Sequence, residues 1–151
     1  MKRCDVIAPG GGTGYEWSAD HTFVKVGAEH TDGAYTLMED NLKSGFALGL
    51  HRHDRHAETF YVLEGPIEFF VNDAWVAAEA GTCIHVPPGA PHAARLPPGS
   101  AGRMLMIYQP SGFDGYLAEL ATLTQADFDD VGRMAALNQK YDLVPLGATP
   151  E

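Results

Sequence analysis

Short apolar runs, most of them separated by turns rich in glycine, proline, Asn or Asp, recur between residues 21 and 109. This punctuation limits the fold more than any other feature of the chain. The runs are His21–Val26, Ala34–Glu39, Gly45–His53, Glu58–Leu63, Ile67–Val71, Ala74–Ala78, Cys83–Val86, His92–Leu96 and Met104–Gln109. Between them stand turn residues such as Thr31-Asp32-Gly33, Asn72-Asp73, Pro87-Pro88-Gly89 and Pro97-Pro98-Gly99. Many short strands with such separators predict an all-β barrel or sandwich. With 17 Gly and 10 Pro in 151 residues, long helices are disfavoured over this region. The opening Pro-Gly-Gly-Gly-Thr-Gly at 9–14 lacks the Lys-Ser/Thr pair of a phosphate loop and reads as a flexible segment.

The pattern changes after Ser111. Phe113, Tyr116, Leu117 and Leu120 fall on one face of a helix. Thr124 followed by Asp127 marks a second helix start, with Phe128, Val131, Met134 and Ala135 continuing helical spacing to about Lys140. Two helices packed on the outside of the strands are expected over about 112–141, followed by a loose tail around Gly147 and Pro150. The whole chain reads as one domain, with the strands occupying about 20–110.

The chemistry lies in Gly45–Gly65. His51 and His53 are two apart, so on a strand both imidazoles project to the same face. Glu58 opens the next strand, and a hairpin through Asp54–Ala57 turns its carboxylate back toward them. Two imidazoles and a carboxylate on one face suit a divalent transition metal with open positions. A helical reading would place His51, Arg55 and Glu58 together. Gly45 and Gly49 weaken a helix upstream, and Thr59-Phe60-Tyr61-Val62 favours strand downstream.

These residues resemble the cupin superfamily of small β-barrels. Gly45, His51, His53, Glu58 and Gly65 match its first motif, G-x5-H-x-H-x3-4-E-x6-G. Gly81, Pro87, Gly89 and His92 match its second, G-x5-P-x-G-x2-H-x3-N, with Leu96 in place of the final Asn. The resemblance covers roughly residues 33–110. It implies a double-stranded β-helix, or jelly-roll barrel, with a short C-terminal helical extension. It also implies that His92 joins His51, His53 and Glu58 as ligands of one divalent metal per chain: Fe, Ni, Mn, Cu or Zn. Within the superfamily the chain is most similar to small single-domain proteins likened to quercetin 2,3-dioxygenase. That similarity implies a dioxygenase-like oxidoreductase acting on a small aromatic or enolisable substrate. The same ligands serve an isomerase or polyketide cyclase without redox chemistry, and the fold also serves non-catalytic binding of small molecules.

Phe60 and Val62 share parity with Glu58 and are expected to line the pocket, as is Phe69 on the next strand. Met104, Met106 and Tyr108 share one face of the last strand, which lines a substrate cavity or is plain core. Glu58 is the candidate catalytic base: it follows a polar turn and precedes apolar residues, so desolvation raises its pKa while metal coordination pulls the other way. His56 reads as a solvated turn residue at the mouth, and His85 as a satisfied core or interface histidine. Cys83 reads as a small buried apolar residue.

Lys plus Arg is 10 and Asp plus Glu is 20, a formal charge of -10, which argues against nucleic acid or an anionic membrane as partner. No signal peptide is visible after Met1-Lys2-Arg3, and two cysteines make no disulfide framework, so a cytoplasmic protein with free thiols is expected. A homodimer is expected from the resemblance, with the strand around His21–Val26 as the candidate contact.

Overall fold

In the computed structural model, which describes residues 3–151, the punctuated region folds into strands at nearly every expected position. In chain order they are β1 (Thr13–Glu16), β2 (Asp20–Val26), the short helix α1 (Ala28–Thr31), β3 (Thr36–Leu42), β4 (Ala47–Arg52), β5 (Ala57–Glu64), β6 (Ile67–Val71), β7 (Ala74–Ala78), β8 (Cys83–Val86), β9 (His92–Arg95) and β10 (Gly102–Gln109). There follow the helices α2 (Asp114–Leu120), α3 (Gln125–Asp129) and α4 (Val131–Lys140), and a last strand β11 (Val144–Gly147). Asn72 and Asp73, both at positive φ, close the tight hairpin between β6 and β7.

The strands form two antiparallel sheets. One has the order β1, β2, β3, β10, β5, β8; the other has β11, β4, β9, β6, β7. Alternating burial along β3, β5 and β10 turns one row of side chains inward. The inner faces meet in a single core in which Phe60 from the first sheet lies 4.9 Å from Phe69 of the second, centroid to centroid. This is the jelly-roll architecture the resemblance implies.

The two ends of the chain depart from expectation. The glycine-rich opening is not a flexible segment throughout, because it leads into β1, which pairs with β2 from Thr13↔Val24 to Glu16↔His21. Gly12 at φ 93 permits this approach: a Cβ there would lie 2.2 Å from the Val24 main-chain oxygen. With β1 on one side and β3 on the other, β2 has both hydrogen-bonding edges filled and is not a free edge for a second copy. The tail is not loose either. Val144–Gly147 pairs with β4, with Pro145 opposite His51, on a sheet edge where proline's missing N–H does no harm. The expected second helix is two helices. Asp130 adopts extended φ/ψ and ends α3, and its side chain accepts from the Arg133 N–H to start α4. Among the described residues no helix is long and apolar enough to cross a membrane.

Candidate metal centre and its cavity

His51 is the next-to-last residue of β4, His53 follows the strand, Glu58 sits near the start of β5 and His92 opens β9. The register of β4 with β9 sets His51 directly opposite His92. The Gly89 N–H donates to the His53 carbonyl at 2.7 Å, so the turn before β9 is pinned to the loop that carries the first two histidines. Gly89 stands at φ 85, a conformation only glycine adopts without strain. The outcome is one cluster: a ligand atom from each of His51, His53, Glu58 and His92 lies within 4.8 Å of the others. His53 is 2% exposed, and Glu58 and His92 are 1% exposed.

The main chain orients all three rings the same way. His51 Nδ1 lies 2.8 Å from the Gly49 oxygen, His53 Nδ1 2.9 Å from the Asp142 oxygen, and His92 Nδ1 3.1 Å from the Ala90 oxygen. A carbonyl only accepts, so each Nδ1 carries the proton and donates it. In the neutral rings this leaves three Nε2 lone pairs turned toward the Glu58 carboxylate. Glu58 Oε2 is 2.9 Å from His92 Nε2 and 3.3 Å from His53 Nε2. The longer contact lacks hydrogen-bond alignment, and His53 Nε2 is buried with no hydrogen-bond partner. Four acceptors, three of them buried and His51 half-buried, converging without donors between them are costly unless a cation sits among them. This donor set fits a divalent transition metal.

Burial and mutual charge set the protonation of the cluster. Burial, reinforced by neighbouring His92, pushes His51 down to about 4, so it stays neutral and able to ligate. Burial works against a charged His53, but the Glu58 carboxylate beside it outweighs this and raises it. Burial also acts to raise Glu58, yet the imidazoles of His53 and His92 outweigh it and hold the carboxyl well below the usual range. That net direction is opposite to a carboxylate tuned as a base. Sequence parity shows Glu58 turned inward among apolar residues; it does not show two imidazoles within reach of one oxygen.

One residue that sequence reading missed supports the centre. Asp142, at φ 61 after α4, is 5% exposed. Its carbonyl takes the His53 proton, and its carboxylate accepts from the N–H groups of Asp54, Arg55 and His56 and lies 2.7 Å from His56 Nδ1. His56 is therefore not a solvated turn residue: it packs against Asp142, which draws the turn inward. No local pattern marks Asp142, because its partners lie more than 80 positions earlier in the chain.

Beside the cluster opens a cavity of about 400 Å³ that reaches His51. Met106 and Tyr108, from the methionine face of β10, line it. Phe60, Val62, Phe69 and Met104 do not; they are fully buried core. Parity puts a side chain inside the barrel but does not say at what depth, and these four lie where the two sheets close on each other. The helices are not confined to the outside: Phe113, Tyr116, Leu117 and Leu120 form one wall of the cavity, with Leu143 and Pro145 from the returning arm. Tyr108 is held un-ionised, its pKa raised by burial and by Glu58.

His85 and Cys83 are both exposed on the outer face of edge strand β8, where His85 Nδ1 lies 2.9 Å from Thr59 Oγ1. Cys83 is not buried as expected and His85 is not in the core, because Ile84 and Val86 take the inward positions of that strand.

Residues 38–108 match the family described as Cupin domain. Among curated proteins, quercetin 2,3-dioxygenase of Bacillus subtilis (strain 168) is 31% identical over 68 residues, which cover 45% of this chain and 20% of that protein. The match thus spans about one fifth of that relative's length. Among solved structures, the polyketide cyclase RemF from Streptomyces resistomycificus aligns at TM-score 0.63 and 19% identity, over 74% of this chain and 80% of that one. An RmlC-like cupin from Shewanella frigidimarina NCIMB 400 aligns at 0.61 and 18%, over 76% and 99%.

Proposed function

We propose that this chain is a small cupin, residues 38–108 matching the Cupin domain family, and that it is a metal-dependent, dioxygenase-like enzyme for a small aromatic or enolisable substrate. The observation that carries the reading is the convergence of four acceptors, three Nε2 atoms and the Glu58 carboxylate, at the edge of an apolar cavity. The similarity to a quercetin 2,3-dioxygenase, 31% identical over 68 residues, supports the choice of chemistry.

When bound, a divalent transition metal supplies Lewis acidity and, if redox-active, electron transfer with dioxygen. His51, His53, Glu58 and His92 hold it, and the Nδ1 bonds to main-chain oxygens keep the rings from turning away. Tyr108 and Phe113, stacked at 4.3 Å between centroids, give a flat apolar surface against which a ring packs and from which water is excluded. Glu58, held ionised by the neighbouring imidazoles, acts as a ligand.

The test is metal analysis of protein purified without chelator, followed by oxygen uptake against flavonols, catechols and β-diketones. Stoichiometric metal with oxygen consumption on one of these supports the proposal. Turnover that persists without oxygen in the zinc form assigns the same centre to non-oxidative chemistry. Absence of metal from protein offered each candidate ion overturns it.

A further inference from the structure

The cavity has a second polar end. Opposite its apolar walls, Asp40 of β3 and Thr22 of β2 face it with Asp20 beside them. Asp40 is 3% exposed, and Thr22 Oγ1 donates to its Oδ1 at 3.0 Å. The Asp20 and Asp40 carboxyls lie within hydrogen-bond reach of each other. Lys43, whose charge reaches Asp20, directs its ammonium to Glu16 and to the Trp17 carbonyl, and no Lys or Arg side chain lines the cavity. Two neighbouring carboxyls with no cation in the cavity wall are expensive to keep both ionised in an otherwise apolar chamber.

Resting on the proposed function, we infer that the Asp20–Asp40 pair is the specificity determinant of this cavity: it takes a hydroxyl of an otherwise apolar, uncharged ligand and rejects anionic ones. Burial, with the neighbouring Asp20 next, pushes the Asp40 carboxyl up to about 8, so the site already resists its own second negative charge. A ligand carboxylate placed there adds a further one with nothing to neutralise it. A ligand hydroxyl instead donates to a carboxyl oxygen of the pair while its ring lies along Met38, Met106 and Tyr108. The pair therefore acts on what binds, not on the reacting atoms.

The test is calorimetric titration of the full chain, stripped with chelator, so that the metal does not report. The probes are 2-naphthol, 2-methoxynaphthalene and 2-naphthoate at neutral pH. The expected order is 2-naphthol at least about tenfold tighter than the other two. Asp40→Asn, which keeps volume and polarity, is expected to narrow the gap to 2-naphthoate several-fold. Asp20→Asn, at a less buried position, does the same where Asp40→Asn folds poorly. Equal affinity for naphthol and naphthoate, no naphthol binding, or an unchanged gap in both variants overturns the inference. A chain that discriminates yet takes up no metal keeps this inference and loses the metal reading; a chain that takes up metal without discriminating does the reverse.

Discussion

His53 donates its Nδ1 proton to the main-chain oxygen of Asp142 at 2.9 Å, so a residue of the C-terminal arm orients a ligand of the barrel. The Asp142 carboxylate meanwhile holds the 54–56 turn through three main-chain N–H groups. The two halves of this contact predict that Asp142→Ala weakens metal binding by about tenfold or more, the range for groups that orient a ligand. Asp142→Asn, which tolerates positive φ and keeps one acceptor, is expected to fall between. Metal titration by calorimetry checks both. Full affinity in the Ala variant would show that the arm plays no part in the centre.

Replacing His51 and His53 together by Ala is expected to abolish stoichiometric metal binding, since it removes two of the four converging atoms. His85→Ala, on the outer face, is expected to leave metal content unchanged. His56→Ala is expected to lower affinity modestly through Asp142. Elemental analysis of the purified variants decides. A double variant that retains its metal places the site elsewhere.

Glu58→Gln separates ligand from base. With its carboxyl held low by two imidazoles, Glu58 is a better ligand than base, so metal content and turnover are expected to fall together. Both are measured on one sample once a substrate is in hand. A variant with full metal but a rate lower by about 100-fold or more would assign the general-base role instead.

Asp40 makes stability depend on pH. Its carboxyl rises from 3.8 to about 8 on folding, chiefly through burial and then through Asp20. A carboxyl whose folded value is raised binds more protons folded than unfolded between those two values. Its contribution therefore favours the fold at low pH and is lost as pH climbs through that window. Wild-type protein is expected to lose thermal stability between about pH 4 and pH 8 relative to Asp40→Asn. Melting curves of the two proteins across that range make the comparison. Parallel pH profiles would show that Asp40 titrates normally.

Strand positions from β2 to β10 followed from period-two alternation and turn residues, because those signals are local: a strand's two faces and a hairpin's turn are decided by residues a few places apart. The same locality put His51, His53 and Glu58 on one face. His92 required the motif resemblance, since its place opposite His51 is set by the pairing of β9 with β4, 41 positions away in register. The tertiary structure alone decided the rest. Whether an inward side chain such as Met106 lines a cavity or, like Phe60, fills the core depends on where along the barrel the sheets close. The β1 and β11 pairings, the helical wall at Phe113–Leu120 and the Asp142 latch join segments distant in sequence. Their partners are chosen by which surfaces remain uncovered after the barrel forms, and no periodicity within either segment encodes that choice.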